Sequence, residues 1–387
     1  MKKLKIFFGF VFVVLTLVFV FDVSYLFNGV KATYLRGECS AQIDDARFFY
    51  NRPVLAKNPT AIPNGQNYVD FVVNDSLDFY LKKSKSVAFL VVQDDSVRCE
   101  KYWDLGKRNS LTNSFSMAKS VVSLLVGCAI DSGFVEGVEQ SVFDFVPELK
   151  PFNNYDVKIK HLLEMSSGLD WIENYKKPIS VTAKSYYGSD LESLILDRVF
   201  VSPSGFTHDY KSGDTQILGV LLERAVGKSV SSFAGEVLWS KIGAMNDAYW
   251  SLDYDGGIEK TFCCFHSNAR DFSRLGLLML NRGSIFGNSI VDSEYVDWLV
   301  RPTGLVDVGG GGVDYYANGW WVAEVLEKSI VYARGFNGQY IVVVPELDLV
   351  FVRLGFFENE KSVDNNDYKM SDNLKFFVEE VIKEYSF

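Results

Sequence analysis

One stretch constrains this chain more than any other: Asn113 to Gly127, NSFSMAKSVVSLLVG, where a short polar lead gives way to a near-continuous apolar run from Val121 to Val126. It reads as a helix start, and on a helix Ser116 and Lys119 sit three apart on one face. A hydroxyl and an amine so placed can share a proton. That suits acyl transfer, because a serine hydroxyl is a weak nucleophile until a base takes its proton. The apolar flank supplies the burial that lowers a lysine pKa. The plainer reading is a helix cap followed by a snorkelling lysine. Against it, an unpaired ammonium entering so apolar a helix is costly.

The chain has 387 residues, enough for one large two-lobed domain or two ordinary ones. A net charge of -10 with scattered basic residues excludes a nucleic-acid partner. Aromatic residues at 15% favour a packed globular body over a solvating linker. Lys2, Lys3 and Lys5 precede an apolar run from Ile6 to Phe21, ended by Asp22, and apolar residues resume at Tyr25, Leu26 and Phe27. A basic flank with an apolar run near the roughly 20 residues a bilayer needs reads as an export signal or a membrane anchor. Val30-Lys31-Ala32 is a poor cleavage site, so residues 1–30 are expected to be an uncleaved anchor in a bacterial-type inner membrane, with the catalytic part extracytoplasmic. Arg36-Gly37-Glu38 before Cys39 argues against a lipid-modified cysteine.

Five cysteines (Cys39, Cys99, Cys128, Cys263 and Cys264) and three dispersed histidines build no zinc spacing, and no cofactor is expected. Cys128 falls in the apolar helix and reads as core. A disulfide from Cys39 to a surface cysteine stays open.

Residues 31–69 read as a polar strap bearing Pro53 and Pro59, and 70–387 as the main domain. Ser76 to Lys82 is predicted helical. Val87 to Gln93 and Val97 to Trp103 are predicted to pair as a hairpin across Asp94-Asp95. A mostly helical middle follows, and strands return at Gly319–Val325, Ser329–Arg334, Gln339–Val344 and Leu349–Leu354 before an amphipathic helix from Asn373 to Tyr385. The pattern implies an α+β fold, an antiparallel sheet flanked by helices with a helical insertion lobe.

Within the insertion, Ile159 to Trp171 reads as a short helix ending at Gly168, with His161 structural rather than catalytic. Tyr210 and Ser212 alternate on a loop before a helix from Gln216 to Val226, so both hydroxyls can enter one cavity while Lys211 faces away. A tyrosine near a lysine ammonium can serve as acid or base; a packed loop tyrosine with Ser212 as a cap is the bland alternative. On a late strand, Arg334-Gly335-Phe336-Asn337-Gly338 places glycines where a substrate backbone can approach, and N–H groups there can complete an oxyanion hole with that of Ser116. Plain turn chemistry explains those glycines equally well. Gly309 to Gly312 is a flexible loop, not a phosphate cradle.

In order, Ser116-x-x-Lys119, Tyr210-x-Ser212 and the Arg334-Gly335 strand resemble the three active-site elements of the serine β-lactamase and D-alanyl-D-alanine peptidase superfamily. The branch is the class C-like one that holds esterases and 6-aminohexanoate-dimer hydrolases. His161 to Trp171, Glu173-x-Tyr175 and Gly335-x-x-Gly338-Gln339 add to the likeness, which spans roughly residues 70 to 385. It implies a β-lactamase/transpeptidase-like fold in which Ser116 attacks a carbonyl, Lys119 relays its proton, and Tyr210 protonates the leaving group and later activates water. Ser212 stands where β-lactamases have asparagine, as in the esterase and oligomer-hydrolase members. Tyr175 falls where the oligomer hydrolases carry a substrate-contacting tyrosine. Ala333 replaces the Lys or His that opens the last motif, leaving Arg334 beside it to supply a charge. The resemblance thus implies a small-molecule or short-peptide substrate bound by Ser212, Tyr175, Arg334, Gly335, Phe336 and Asn337. A penicillin-binding peptidase, a β-lactamase, and a non-catalytic binder of cell-wall peptides are the alternatives.

Overall fold

A computed structural model describes residues 20–150, 155–356 and 370–386, with residues 3, 8, 12, 16 and 18 of the preceding stretch. Its centre is a seven-stranded sheet of β1 (Asn64–Val69), β2 (Ser86–Gln93), β3 (Ser96–Tyr102), β4 (Trp321–Val325), β5 (Lys328–Gly335), β6 (Gln339–Val344) and β7 (Leu349–Gly355). The order is β4-β5-β6-β7-β2-β3-β1. Neighbours run antiparallel except β1 and β3, which are parallel. The helices that matter here are α1 (Tyr25–Ala32), α2 (Asp75–Lys83), α3 (Met117–Asp131), α4 (Val181–Tyr187), α5 (Ser212–Val226), α6 (Ala269–Leu280) and α7 (Asp372–Tyr385).

The central strands are mostly apolar because both faces are covered, so period-two alternation sorts residues between two cores rather than between core and water. Ile341, Val343, Val350 and Val352 join the core that contains α3, α5 and α6. Tyr340, Val342, Leu349 and Phe351 join the opposite core with Leu77 of α2 and Phe377 and Val381 of α7. The β2–β3 hairpin turns through Asp94 (φ 49°) and Asp95 (φ 55°), both left-handed, the combination whose twist matches paired strands. Leu326 (φ 50°) and Glu327 (φ 60°) close β4 to β5 in the same way.

Several expectations change. The middle is not only helical: Asn51–Val54, Ala248–Ser251, Phe265–Ser267 and Thr112–Asn113 form a second, antiparallel sheet. The polar strap supplies its edge strand, and Pro53 is tolerated because an edge does not need every N–H. The helix over His161 runs only from Ile159 to Leu163. Met165 (φ 58°) breaks it before Gly168 is reached. The helix predicted from Gln216 starts at Ser212 instead, because a carboxylate from elsewhere in the chain satisfies its first N–H. Cys263 is disulfide-bonded to Cys264, while Cys39 is free; spacing rules weigh distant partners and overlook adjacent ones. Cys128 is buried, as its helix implied.

Most of the apolar run 6–21 lies outside the described residues. Among the described residues, no helix is long and apolar enough to cross a membrane.

Candidate active site

Ser116 stands at the entry to α3, partly exposed, with Phe115 before it at φ 46°. A bulky residue in the left-handed region costs about 1–3 kcal/mol and needs surroundings that hold it there. They are present: Asn113 Oδ1 accepts the Phe115 N–H at 2.9 Å, and the buried Phe115 ring packs edge-on against Phe336 at 5.5 Å. The kink turns the short strand Thr112–Asn113 into a helix and leaves Ser116 at its exposed end.

One turn on, Lys119 is 3% exposed. Its Nζ lies 3.1 Å from Ser116 Oγ, 3.1 Å from Ser212 Oγ and 2.9 Å from the Phe262 carbonyl oxygen. Three partners satisfy an amine whose burial would otherwise be prohibitive. Desolvation pulls its pKa down to about 8, against an opposing pull from the Glu173 carboxylate. An appreciable neutral fraction therefore exists near neutrality. The snorkelling alternative does not hold.

Tyr210 precedes α5, its ring centroid 5.1 Å from Lys119 Nζ and 5.5 Å from the Trp321 ring. Its loop is pinned by the segment after His161. The Asp209 N–H donates to Met165 O at 2.8 Å, Ser167 Oγ donates to Asp214 at 2.5 Å, and Lys211 turns away to Leu169 O at 2.6 Å. His161 accepts the Lys158 N–H through Nδ1, and burial pulls its pKa down to about 4, which fits the structural role expected of it.

Ser212 is the first residue of α5 rather than a loop residue, yet its hydroxyl still meets Lys119. Glu173 explains both facts. Its Oε2 accepts the N–H of Ser212 at 2.8 Å and Nε1 of Trp171 at 2.8 Å, and its Oε1 accepts the Ser212 hydroxyl at 3.0 Å. A carboxylate at a helix N-terminus is electrostatically favoured. In the sequence Glu173 stands out only as part of the Glu173-x-Tyr175 mark, and nothing local announces a contact 39 residues away. Phe262 contributes a main-chain carbonyl, for which no sequence signal exists.

The Tyr175 ring is 44% exposed and stacks on Phe336 at 5.9 Å. Its phenolic oxygen lies among Glu173, Tyr210 and Ser212, where desolvation and then Glu173 and Tyr210 hold its pKa well above the usual value against an opposing pull from Ser212. Gly335 lies against the lead into Ser116: a Cβ there would stand 2.1 Å from Ser114 O. Two predicted binding residues already have partners within the chain, one of them on the Trp321 ring beside Tyr210. The Arg334 guanidinium lies over the Trp321 ring at 5.7 Å, and Asn337 Nδ2 donates to Ala41 O of the strap at 3.3 Å. Ala333 is fully buried in the core, so the position offers no cation. Among the described residues no group of His, Cys, Asp and Glu side chains gathers to hold a metal.

The chain matches the Beta-lactamase family over residues 79–368. It is 25% identical over 300 residues to the 6-aminohexanoate-dimer hydrolase of Paenarthrobacter ureafaciens, a match covering 72% of this chain and 74% of that one. The solved structure of a Bacillus anthracis protein assigned as a 6-aminohexanoate-dimer hydrolase superposes with a TM-score of 0.73 at 21% identity, covering 89% of this chain and 92% of that one. A family VIII carboxylesterase superposes with a TM-score of 0.57 at 17% identity, over 79% of this chain and 97% of that one. With the matched family spanning most of its length, the chain belongs to the beta-lactamase family, within the serine β-lactamase and transpeptidase superfamily of hydrolases.

Proposed function

We propose that this protein cleaves an amide or ester through an acyl-enzyme on Ser116, in the manner of the 6-aminohexanoate-dimer hydrolases and esterases. The observation that carries the reading is the contact of the buried Lys119 with Ser116 Oγ, Ser212 Oγ and Phe262 O. Neutral Lys119 takes the Ser116 proton as Oγ adds to the carbonyl carbon. The developing oxyanion is met by the N–H of Ser116 and an N–H of the Gly335–Phe336 turn. Tyr210 gives a proton to the departing amine or alkoxide and then takes one from the water that attacks the acyl-enzyme, and Lys119 returns its proton to Ser116 Oγ as the acyl group departs, restoring the hydroxyl. Tyr175 and Phe336, stacked and reachable from solvent, supply an apolar wall for the substrate.

The buried Ala333 weighs against a penicillin-binding peptidase or a β-lactamase, since the resemblance places the carboxylate-binding cation there. A non-catalytic role would leave a desolvated lysine without a purpose that offsets its cost. The test is a fluorophosphonate probe on residues 33–387, followed by p-nitrophenyl esters, short amides and a chromogenic cephalosporin. Labelling of Ser116 with ester or amide turnover, both lost in Ser116→Ala, is expected; no labelling in folded protein refutes the reading.

The same proposal places the body beside a membrane, tethered by residues 1–30 on the extracytoplasmic side. The stretch after the apolar run is docked on the segment that bears Tyr175. Tyr25 Oη donates to Pro178 O at 3.1 Å, Asn28 Nδ2 donates to Tyr187 O at 2.9 Å, and Asp22 pairs with Lys184. Release of the chain into the soluble fraction of lysed cells, with the N-terminus intact, would refute the tether.

A further inference from the structure

Around Lys119 every hydrogen-bond polarity but one is dictated by its partner. The Phe262 carbonyl can only accept. Glu173 Oε2 is taken by two N–H groups, which leaves Oε1 for the Ser212 hydroxyl, and a carboxylate has no proton to give. Ser212 therefore points its proton at Glu173 and offers Lys119 only its oxygen. The Tyr175 phenol lies beside the same pair. A neutral amine has two N–H groups and one lone pair. With both N–H groups committed to Ser212 Oγ and Phe262 O, the lone pair is left for the remaining neighbour, the hydroxyl of Ser116 at 3.1 Å.

We propose that Glu173 is a positioning residue which, by holding the Ser212 proton, orients the neutral amine of Lys119 so that its lone pair faces Ser116. The inference rests on Ser116 being the acylated group. It does not require Glu173 to touch substrate, and no proton leaves Glu173 or Ser212 during the step. The proton released by Ser116 goes to Lys119, which becomes an ammonium with its third N–H directed back at the Ser116 oxygen.

Glu173→Gln separates this role from simple support of the helix. Ser212 N–H and Trp171 Nε1–H both donate where Oε2 stands, so the glutamine must put its carbonyl oxygen there and its NH2 where Oε1 was. That NH2 donates to Ser212 Oγ, and the Ser212 proton is turned onto the lone pair of Lys119. The rate of Ser116 acylation, read as the burst with a p-nitrophenyl ester, is expected to fall about 100-fold, within the range general-base catalysis supplies. Removing the misdirected hydroxyl should relieve the fault, so Glu173→Gln/Ser212→Ala is expected to acylate faster than Glu173→Gln alone. Ser212→Ala by itself frees one N–H and leaves the lone pair in place; as a proposed substrate contact its loss is expected to raise KM, while the burst rate at saturating ester falls by less than about 10-fold.

A carboxylate that merely braces the start of α5 predicts losses that accumulate, with the double variant the slowest. That order overturns the proposal, as does a Glu173→Gln enzyme within about 10-fold of wild type. Should Glu173→Gln fold poorly by thermal melt, Ser212→Ala in the wild-type background decides, read as the burst rate at saturating ester so that substrate binding drops out: a loss beyond about 10-fold overturns the inference. A second readout is the acid limb of kcat/KM. The groups facing Lys119 are Ser116, Ser212, Phe262, the Tyr210 ring and the Glu173 charge, and removing that charge should shift the limb to lower pH. An unmoved limb counts against the proposal. If the wild-type enzyme takes no fluorophosphonate label, the acylation reading itself has failed; if it is labelled and Glu173→Gln is unimpaired, only the role of Glu173 has.

Discussion

The carbonyl oxygen of Phe262 lies 2.9 Å from Lys119 Nζ, and Phe262 is the residue immediately before the Cys263–Cys264 disulfide. The acceptor that helps hold the lysine is thus part of a covalently stiffened turn. Trp250 Nε1 pins the same turn by donating to Lys260 O at 3.0 Å and Cys263 O at 2.9 Å, and Cys264 sits at φ 65°.

A ring this small removes little entropy from the unfolded chain, about 1 kcal/mol by loop-closure reasoning. Its larger effect is expected on geometry. Replacing both cysteines by serine should lower kcat by about 3- to 30-fold through a displaced Lys119, with only a few degrees of change in Tm. Activity measured beside a thermal melt checks this; unchanged kcat in the double variant would show that the ring does not govern the carbonyl.

Lys119 sets a pH dependence whose sign follows from its environment. Burial lowers its pKa from 10.5 to about 8, and the neutral form is the proposed base. With a non-ionising ester, kcat/KM should rise with pH and level off above about 8. The unfolded chain keeps the lysine proton up to about 10.5, so between about pH 8 and 10.5 it binds more protons than the folded one, and stability rises with pH over that window. Wild type should therefore gain on Lys119→Met in urea melts as pH increases through that interval. A flat rate profile down to pH 6, or parallel melting curves, would count against the assignment.

Legibility in the sequence divides by physical range. The β2–β3 hairpin, the strands from 321 to 355 and α7 were readable because period and turn chemistry are local. Ser116 and Lys119 were readable because one helical turn joins them. Tyr210 and Ser212 became informative only through their order along the chain. Glu173 was not readable as a partner, because its contacts to Ser212 cross a long loop, and Phe262 acts through a main-chain atom that any residue carries. Arg334 was legible only as a charge beside Ala333, not by what it meets. Alternation along β5 assigns it the face opposite Ala333, where the Trp321 ring receives it.

Asp214, fully buried on α5, accepts from Ser167 through Oδ1, while Oδ2 finds no hydrogen-bond partner among the described residues. Desolvation raises its pKa to about 7 from 3.8. A raised folded-state value means that stability present below about pH 3.8 is lost as pH climbs toward about 7. Asn at this position keeps a carbonyl for Ser167 and cannot ionise, though its NH2 gains no acceptor. Asp214→Asn is expected to be more stable than wild type by about 1–2 kcal/mol above pH 7, with the gap closing toward pH 4. Equilibrium denaturation at both pH values tests it, and a gap independent of pH would show that Asp214 does not titrate in this range.

The last prediction concerns Gly335, whose φ lies in the ordinary extended region, so any residue could adopt its backbone. What excludes a side chain is proximity. A Cβ would stand 2.1 Å from Ser114 O and 3.1 Å from Gln339 Cβ, and neither the strand nor the lead into Ser116 can yield without moving the other. Gln339 is itself fixed, with Nε2 donating to Gly355 O at 2.6 Å, and the adjoining turn is held by Arg353 Nη1, which donates to Asn337 O at 2.8 Å and Gly338 O at 2.7 Å. Overpacking at such a seam costs about 1–3 kcal/mol and is relieved by separating its two sides. Here those sides carry Ser116 and the proposed oxyanion N–H. Gly335→Ala is therefore expected to lower the acylation rate by about 100-fold or more while the fold survives, since one oxyanion donor alone is worth about that factor. Labelling kinetics with a fluorophosphonate, compared with the far-UV spectrum and Tm, provide the check; a folded Gly335→Ala protein that labels at the wild-type rate would mean the seam does not position the oxyanion site.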